Sequence, residues 1–141
     1  MAPTRTRGSA QPPEPPADPV DRLRAICLAL PEVTERLSHG EPTWFVRDRK
    51  VVVSLDDHHH GADHLAFWCP AGLGVQAELV DQEPVRFFRP PYVGVKGWLG
   101  VRIDLEPDWE EINEIVRDAY RLVAPKKLAA LLDADGGPAR S

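Results

Sequence analysis

Cysteine is nearly absent: Cys27 and Cys69 are the only two in 141 residues, 42 positions apart. That excludes a disulfide-stapled scaffold and fits a reduced, cytoplasmic protein. Serine is scarce as well, limited to Ser9, Ser38, Ser54 and Ser141. None stands in the G-x-S-x-G strand-turn-helix context that exposes a nucleophile. No window approaches the roughly 18 apolar residues of a membrane span, and the N-terminus lacks the apolar run of a secretory signal. A soluble protein without a membrane partner is expected. Positive charge is also in deficit, 17 Lys and Arg against 22 Asp and Glu. Between residues 18 and 133 the counts are 14 and 20, a net charge of −6. Any nucleic-acid role must therefore rest on a local patch.

What is present suffices for one domain. The length lies within the ~100–200 residues typical of single domains, and 43% hydrophobic residues supply one core without a metal or a disulfide. Residues 1–17 hold five prolines and almost no large apolar side chain, so ordering them would cost more entropy than burial returns. They are expected to form a disordered tail. The stretch from Ala134 carries Gly-Gly-Pro, a helix stop, and is expected to be a flexible C-terminal tail. This leaves 18–133 as a single domain, expected to be monomeric.

Asp18 is an N-cap candidate before Pro19 at the first helical position. Val20, Leu23, Cys27 and Leu30 then recur at helical spacing until Pro31. From Thr43, the run T-W-F-V, the charged quartet Arg47, Asp48, Arg49 and Lys50, and V-V-V-S-L predict a β-hairpin. A polar loop over 56–63 and a third strand over 64–68 follow, then a short helix over 75–80. The run from Tyr92 to Asp104 predicts two strands joined by a turn at Val95 to Gly97, with Leu99, Val101, Ile103 and Leu105 on the buried side. Asp108 should cap the longest helix, whose apolar stripe is Trp109, Ile112, Val116, Ala119 and Val123. K-K-L-A-A-L-L adds a final helical turn or two. The order predicts an α+β fold, an antiparallel sheet of about five strands with helices packed on one face.

The loudest polar feature is D-D-H-H-H-G-A-D-H over 56–64. His58, His60 and His64 could ligate a metal only if this loop curls, because His58 and His59 face opposite ways in an extended chain. The H-E-x-x-H motif is absent, and a calcium loop fails because His58, His60 and Phe67 occupy oxygen-ligand positions. A polar solvent-facing loop is the plainer reading, and no cofactor is expected. Cys69, following two aromatics, is expected to be a buried hydrophobe and not a thiolate. His39 and Glu41 form an acid/base couple, expected to order the loop before the hairpin, with no third group to make a catalytic set. No residue commends itself for enzyme chemistry. Gly94, Gly97 and Gly100 match no phosphate cradle. Gly97 suits a turn, and the other two suit bulges or close backbone approach.

Two basic spots remain. Arg47, Arg49 and Lys50 occupy the first hairpin tip, and Arg86, Arg89, Lys96 and Arg102 surround the second hairpin, with Trp98 beside Lys96. Cations on hairpins can reach phosphates, although charged tips are also ordinary solvated turns that guard sheet edges. The acidic helix face of Glu110, Glu111, Glu114 and Asp118 reads by itself as a solvated surface.

The segments L-A-L-P-E-V-T-E-R-L-S-H-G-E-P-T-W-F-V from Leu28, L-A-F-W-C from Leu65, R-F-F-R-P-P-Y-V-G-V-K-G-W-L-G-V-R-I-D from Arg86 and D-A-Y-R-L-V-A-P-K-K-L from Asp118 resemble the MmcQ/YjbR family over about residues 20–132. The resemblance implies a CyaY-like α+β fold, and that kinship suggests a rival surface, the acidic helix face of Glu110, Glu111, Glu114 and Asp118, which could meet a hard cation or a basic protein partner. It also implies DNA binding through two β-hairpin wings, with double-stranded DNA as partner. Carried onto this chain, the wings are the hairpins around Arg47 to Lys50 and Val95 to Gly97. Arg47, Arg49, Lys50, Arg86, Arg89, Lys96 and Arg102 would then contact phosphates, with Trp98 buttressing the second wing.

Overall fold

The structure, a computed structural model, describes residues 18–58 and 64–136. The expected tail 1–17, the end of the C-terminal tail and His60 lie outside these residues. Helix α1 (Pro19–Leu28) starts as its sequence dictates: the Asp18 carboxylate accepts from the Val20 amide at 2.8 Å, with Pro19 in the first turn. The strands β1 (Val33–Ser38), β2 (Glu41–Val46), β3 (Lys50–Asp57) and β4 (Leu65–Cys69) follow, then helix α2 (Val75–Gln82). Next come a two-residue strand β5 (Phe87–Phe88), a single 3-10 turn at Gly94–Lys96 and strand β6 (Leu99–Arg102). Helices α3 (Trp109–Val123) and α4 (Lys126–Gly136) close the chain.

The result is an α+β fold with one six-stranded sheet in the order β1-β2-β3-β4-β6-β5. Every pairing is antiparallel. The sixth strand is β1, which carries only one buried residue, Val33. Val33, Glu35 and Leu37 share its inward face, where Glu35 lies opposite Trp44 on the core side and Leu37, opposite Pro42 near the strand's end, is exposed. Glu35 is tolerated there because Arg24 of α1 donates to both of its oxygens at 2.8 and 3.2 Å, and the Trp44 indole N–H donates at 3.0 Å. Arg24 holds the Glu35 carboxyl below its ordinary range, and Glu35 in turn raises the Arg24 guanidinium.

Side chains from alternate positions of the central strands (Trp44, Val53, Phe67, Val101) form the core with Leu23 and Cys27 of α1, four α3 residues and Leu128 and Leu132 of α4. The α3 cap is the expected one, with the Glu111 amide donating to Asp108 Oδ1 at 3.1 Å. Cys69 is fully buried, as is Cys27; burial pushes the Cys69 thiol up to about 12 and the Cys27 thiol well above its ordinary value. Helix α4 continues to Gly136, further than the one or two turns its apolar residues suggest. Leu105 is the one member of the predicted buried row that faces out.

The second hairpin differs from its prediction. The residues before the turn are not a strand: the Gly94 amide donates to Pro90 O, Lys96 to Val93 O and Gly97 to Gly94 O, each at 2.9–3.0 Å. The chain therefore bonds to itself, Tyr92 takes a φ of +66° and Gly97 one of +89°. The strand that pairs with β6 is Phe87–Phe88. Likewise, the polar loop expected from residue 56 begins later, since Asp56 and Asp57 belong to β3 and Asp56 is buried.

Candidate nucleic-acid interface and open sheet face

The first hairpin has the predicted form, with Val46 paired to Lys50 across Arg47, Asp48 and Arg49. Arg47 and Asp48 have φ values of 52° and 58°, a conformation that costs an L-residue about 1–2 kcal/mol. Flanking contacts stabilise it: the Arg47 amide donates to Glu32 O and its Nε to Glu32 Oε1, both at 2.9 Å, and Asp48 pairs with Arg36. Arg36 in turn stacks on Phe45, 3.7 Å from the ring centroid. The tip is thus a fixed scaffold from which Arg49 and Lys50 project, both exposed.

These cations do not stand alone. Arg47, Arg49, Lys50 and Lys126 border a shallow concavity of about 550 Å³ between the hairpin and the α3–α4 junction, whose other described lining residues are apolar. Lys126, the first residue of α4, lies far from the hairpin in sequence. The only signal that could have found it is the basic pair after Pro125 in A-P-K-K-L.

The second basic spot is not assembled in the same way. Arg86 is bound to Glu83 at 2.7 Å and to Glu111 of α3. Arg102 is bound to Asp104 through both Nε (3.1 Å) and Nη2 (2.9 Å), which lowers the Asp104 carboxyl. Arg89 packs its aliphatic stem on Gly94, where a Cβ would meet Arg89 Cγ at 2.5 Å. Lys96 is exposed on the 3-10 turn. Of the acidic helix face, Glu111 is bound to Arg86 and Asp118 to Arg121 at 2.8 Å.

Among the described residues no group of three His, Cys, Asp or Glu side chains could hold a metal. His58 contacts Asp57, whereas His64 Nε2 lies 3.0 Å from Asp56 Oδ2. Neighbouring carboxylates on one strand point to opposite faces, so the two histidines are drawn apart.

The sheet face opposite the helices holds a second concavity. Thr43, Ser54, Trp68 and Gly100 form a cross-strand row on that face. Over part of it lies a groove of about 550 Å³ whose walls include Tyr92 and Trp98 at one end and His39 and Glu41 at the other. The Trp68 indole N–H donates to Asp56 Oδ2 at 2.8 Å, fixing that ring. Gln76 of α2 donates to Gly94 O at 2.9 Å and Trp98 O at 2.5 Å, fixing the 92–98 segment. The far end is the β1–β2 turn, where His39 and Gly40 have φ of 56° and 83°, the two-residue geometry favoured in hairpins. Trp98 thus walls a groove instead of buttressing a projecting wing, and the His39 and Glu41 couple forms the rim of the same groove.

Two comparisons bear on kinship. The fold is similar to that in the crystal structure of Deinococcus radiodurans protein DR2400, a DUF419 domain, with a TM-score of 0.65 and 22% identity over 84% of this chain and 87% of that one. No curated protein matches. The family model for YjbR matches residues 28–122, which include all six strands and most of α3, and the chain belongs to the YjbR family.

Proposed function

We propose that the protein binds double-stranded DNA, holding phosphates with the cations around the first hairpin tip. The observation that carries this reading is the convergence of Arg47, Arg49, Lys50 and Lys126 on one concavity with no acidic residue in its described lining. Arg49, Lys50 and Lys126 form no ion pair with any described residue. Their charge is therefore available to a polyanion, while Arg47 is shared with Glu32. The start of α4 in the same concavity adds the positive end of a helix dipole. Lys96 and Arg89 are secondary contacts in this reading. Arg86 and Arg102 act on the fold, through their carboxylate partners.

The net negative domain limits the affinity to what a few phosphate contacts supply. Each contact contributes a slope of about −0.9 in log K against log salt, so three or four predict a total near −3. Fluorescence anisotropy of a labelled mixed-sequence duplex, at low and at physiological salt, tests this. Saturable binding that weakens with salt is expected. A variant with Arg49, Lys50 and Lys126 all changed to Ala should lose most of the affinity and most of the slope. Unchanged affinity in that variant overturns the assignment.

A further inference from the structure

The groove on the open sheet face has the size and wall chemistry of a small-molecule site. Its volume of about 550 Å³ lies within the ~300–1,000 Å³ common for such sites. Three aromatic side chains from two segments border it: Trp68 of β4, and Tyr92 and Trp98 of the 92–98 segment. Neighbouring polar groups hold the Trp68 ring and the 92–98 backbone in advance. Trp68 is tied to Asp56, Gln76 grips the backbone on both sides of the 3-10 turn, and Tyr92 is kept at a φ of +66°. Strained backbone of this kind persists where its surroundings over-determine it, and it clusters at ligand sites.

Charge selects the ligand class. Among the described residues that line the groove, Glu41 is the acidic one and none is Lys or Arg. A phosphate or carboxylate would find no Lys or Arg among those described residues and would meet a domain of net charge −6. Aromatic faces attract cations through their quadrupoles, most strongly when the cation is weakly hydrated. We propose that this groove binds a small organic cation with an apolar body, of the aryl- or alkyl-ammonium class, its charge set against the Trp98 and Tyr92 faces.

The site is separate from the basic concavity, and its test does not depend on DNA binding. Benzyltrimethylammonium is titrated into the full chain, followed by calorimetry and tryptophan fluorescence. One-to-one saturable binding is expected, weakened about tenfold or more by Trp98→Ala. Tyr92→Gly guards against a misfolded Trp98 variant, because glycine accepts the positive φ without strain while removing the ring. It should weaken binding with the thermal midpoint preserved. The Arg49, Lys50 and Lys126 alanine variant should bind the cation as the unaltered chain does. Absence of saturable binding overturns the proposal. Equal binding of the uncharged isostere neopentylbenzene, or full affinity in both Trp98→Ala and Tyr92→Gly, overturns it as well.

Discussion

The Tyr120 hydroxyl donates to the Pro31 carbonyl oxygen at 2.7 Å, joining α3 to the turn between α1 and β1 across 89 positions of sequence. The Tyr120 side chain is otherwise fully buried, and burial raises its phenol above the ordinary value. The bond locks the helical layer to the start of the sheet. Tyr120→Phe keeps the ring and strands the carbonyl, so it should cost about 1–2 kcal/mol. Urea unfolding with an unchanged slope and a lowered midpoint would show it. An unchanged midpoint would mean that water replaces the hydroxyl.

Glu35 gives a pH-dependent contribution. Its carboxyl is held below the ordinary value by Arg24, so the folded group loses its charge at a lower pH than the unfolded one. The stabilisation is therefore complete above the unfolded value of about 4.3 and fades as pH falls through the folded value. Glu35→Gln retains an acceptor for the Trp44 indole but loses the charge. At neutral pH it should be less stable by about 1 kcal/mol, and the gap between the two proteins should close in the acid limb of a pH series. A gap that stays constant throughout the acid limb would show that packing, not charge, is responsible.

Gly100 is required by its neighbour across the strand pair. A Cβ there would lie 2.5 Å from Phe88 Cε2 and Cζ, and the Phe88 ring cannot retreat freely because His64 lies against it, 4.8 Å between centroids. Gly100→Ala should destabilise by about 1–3 kcal/mol, and adding Phe88→Leu should recover part of that loss. A double-mutant cycle on thermal midpoints measures the coupling, and strictly additive effects would refute it.

Cys27 and Cys69 are both fully buried with raised thiols. Reaction with a thiol-specific reagent should be slow in native conditions and rise to two equivalents only on unfolding. Rapid modification of either one in the native protein would show a local opening next to α1 or β4.

The helix caps at Asp18 and Asp108 and the first hairpin were legible because each depends on a few neighbouring residues, whereas Gly100 faces the Phe88 side chain of a paired strand and not a close backbone. Strand β1 was not, because its inward residue is a glutamate made tolerable by an arginine on another element. The 92–98 segment has strand-like composition, yet the Pro pair and the Gln76 side chain turn it back on itself. The groove was illegible for a related reason. Its walls come from β4, the β1–β2 turn and a segment misread as strand, so His39 and Glu41 could be noticed but not placed. Lys126 joins Arg49 and Lys50 only through the tertiary arrangement of α4.

The strand order also governs how the chain emerges during synthesis. β1 to β4 pair with immediate sequence neighbours, so each ladder can close as soon as its hairpin leaves the ribosome. Their apolar side, with Trp44, Val53 and Phe67, has only α1 among the helices of the core to shelter it until α3, Trp109–Val123, has been made. The nascent meander should therefore pass through a stage with one greasy face open to solvent, and slowing translation across residues 70–108 should lengthen its dependence on chaperones.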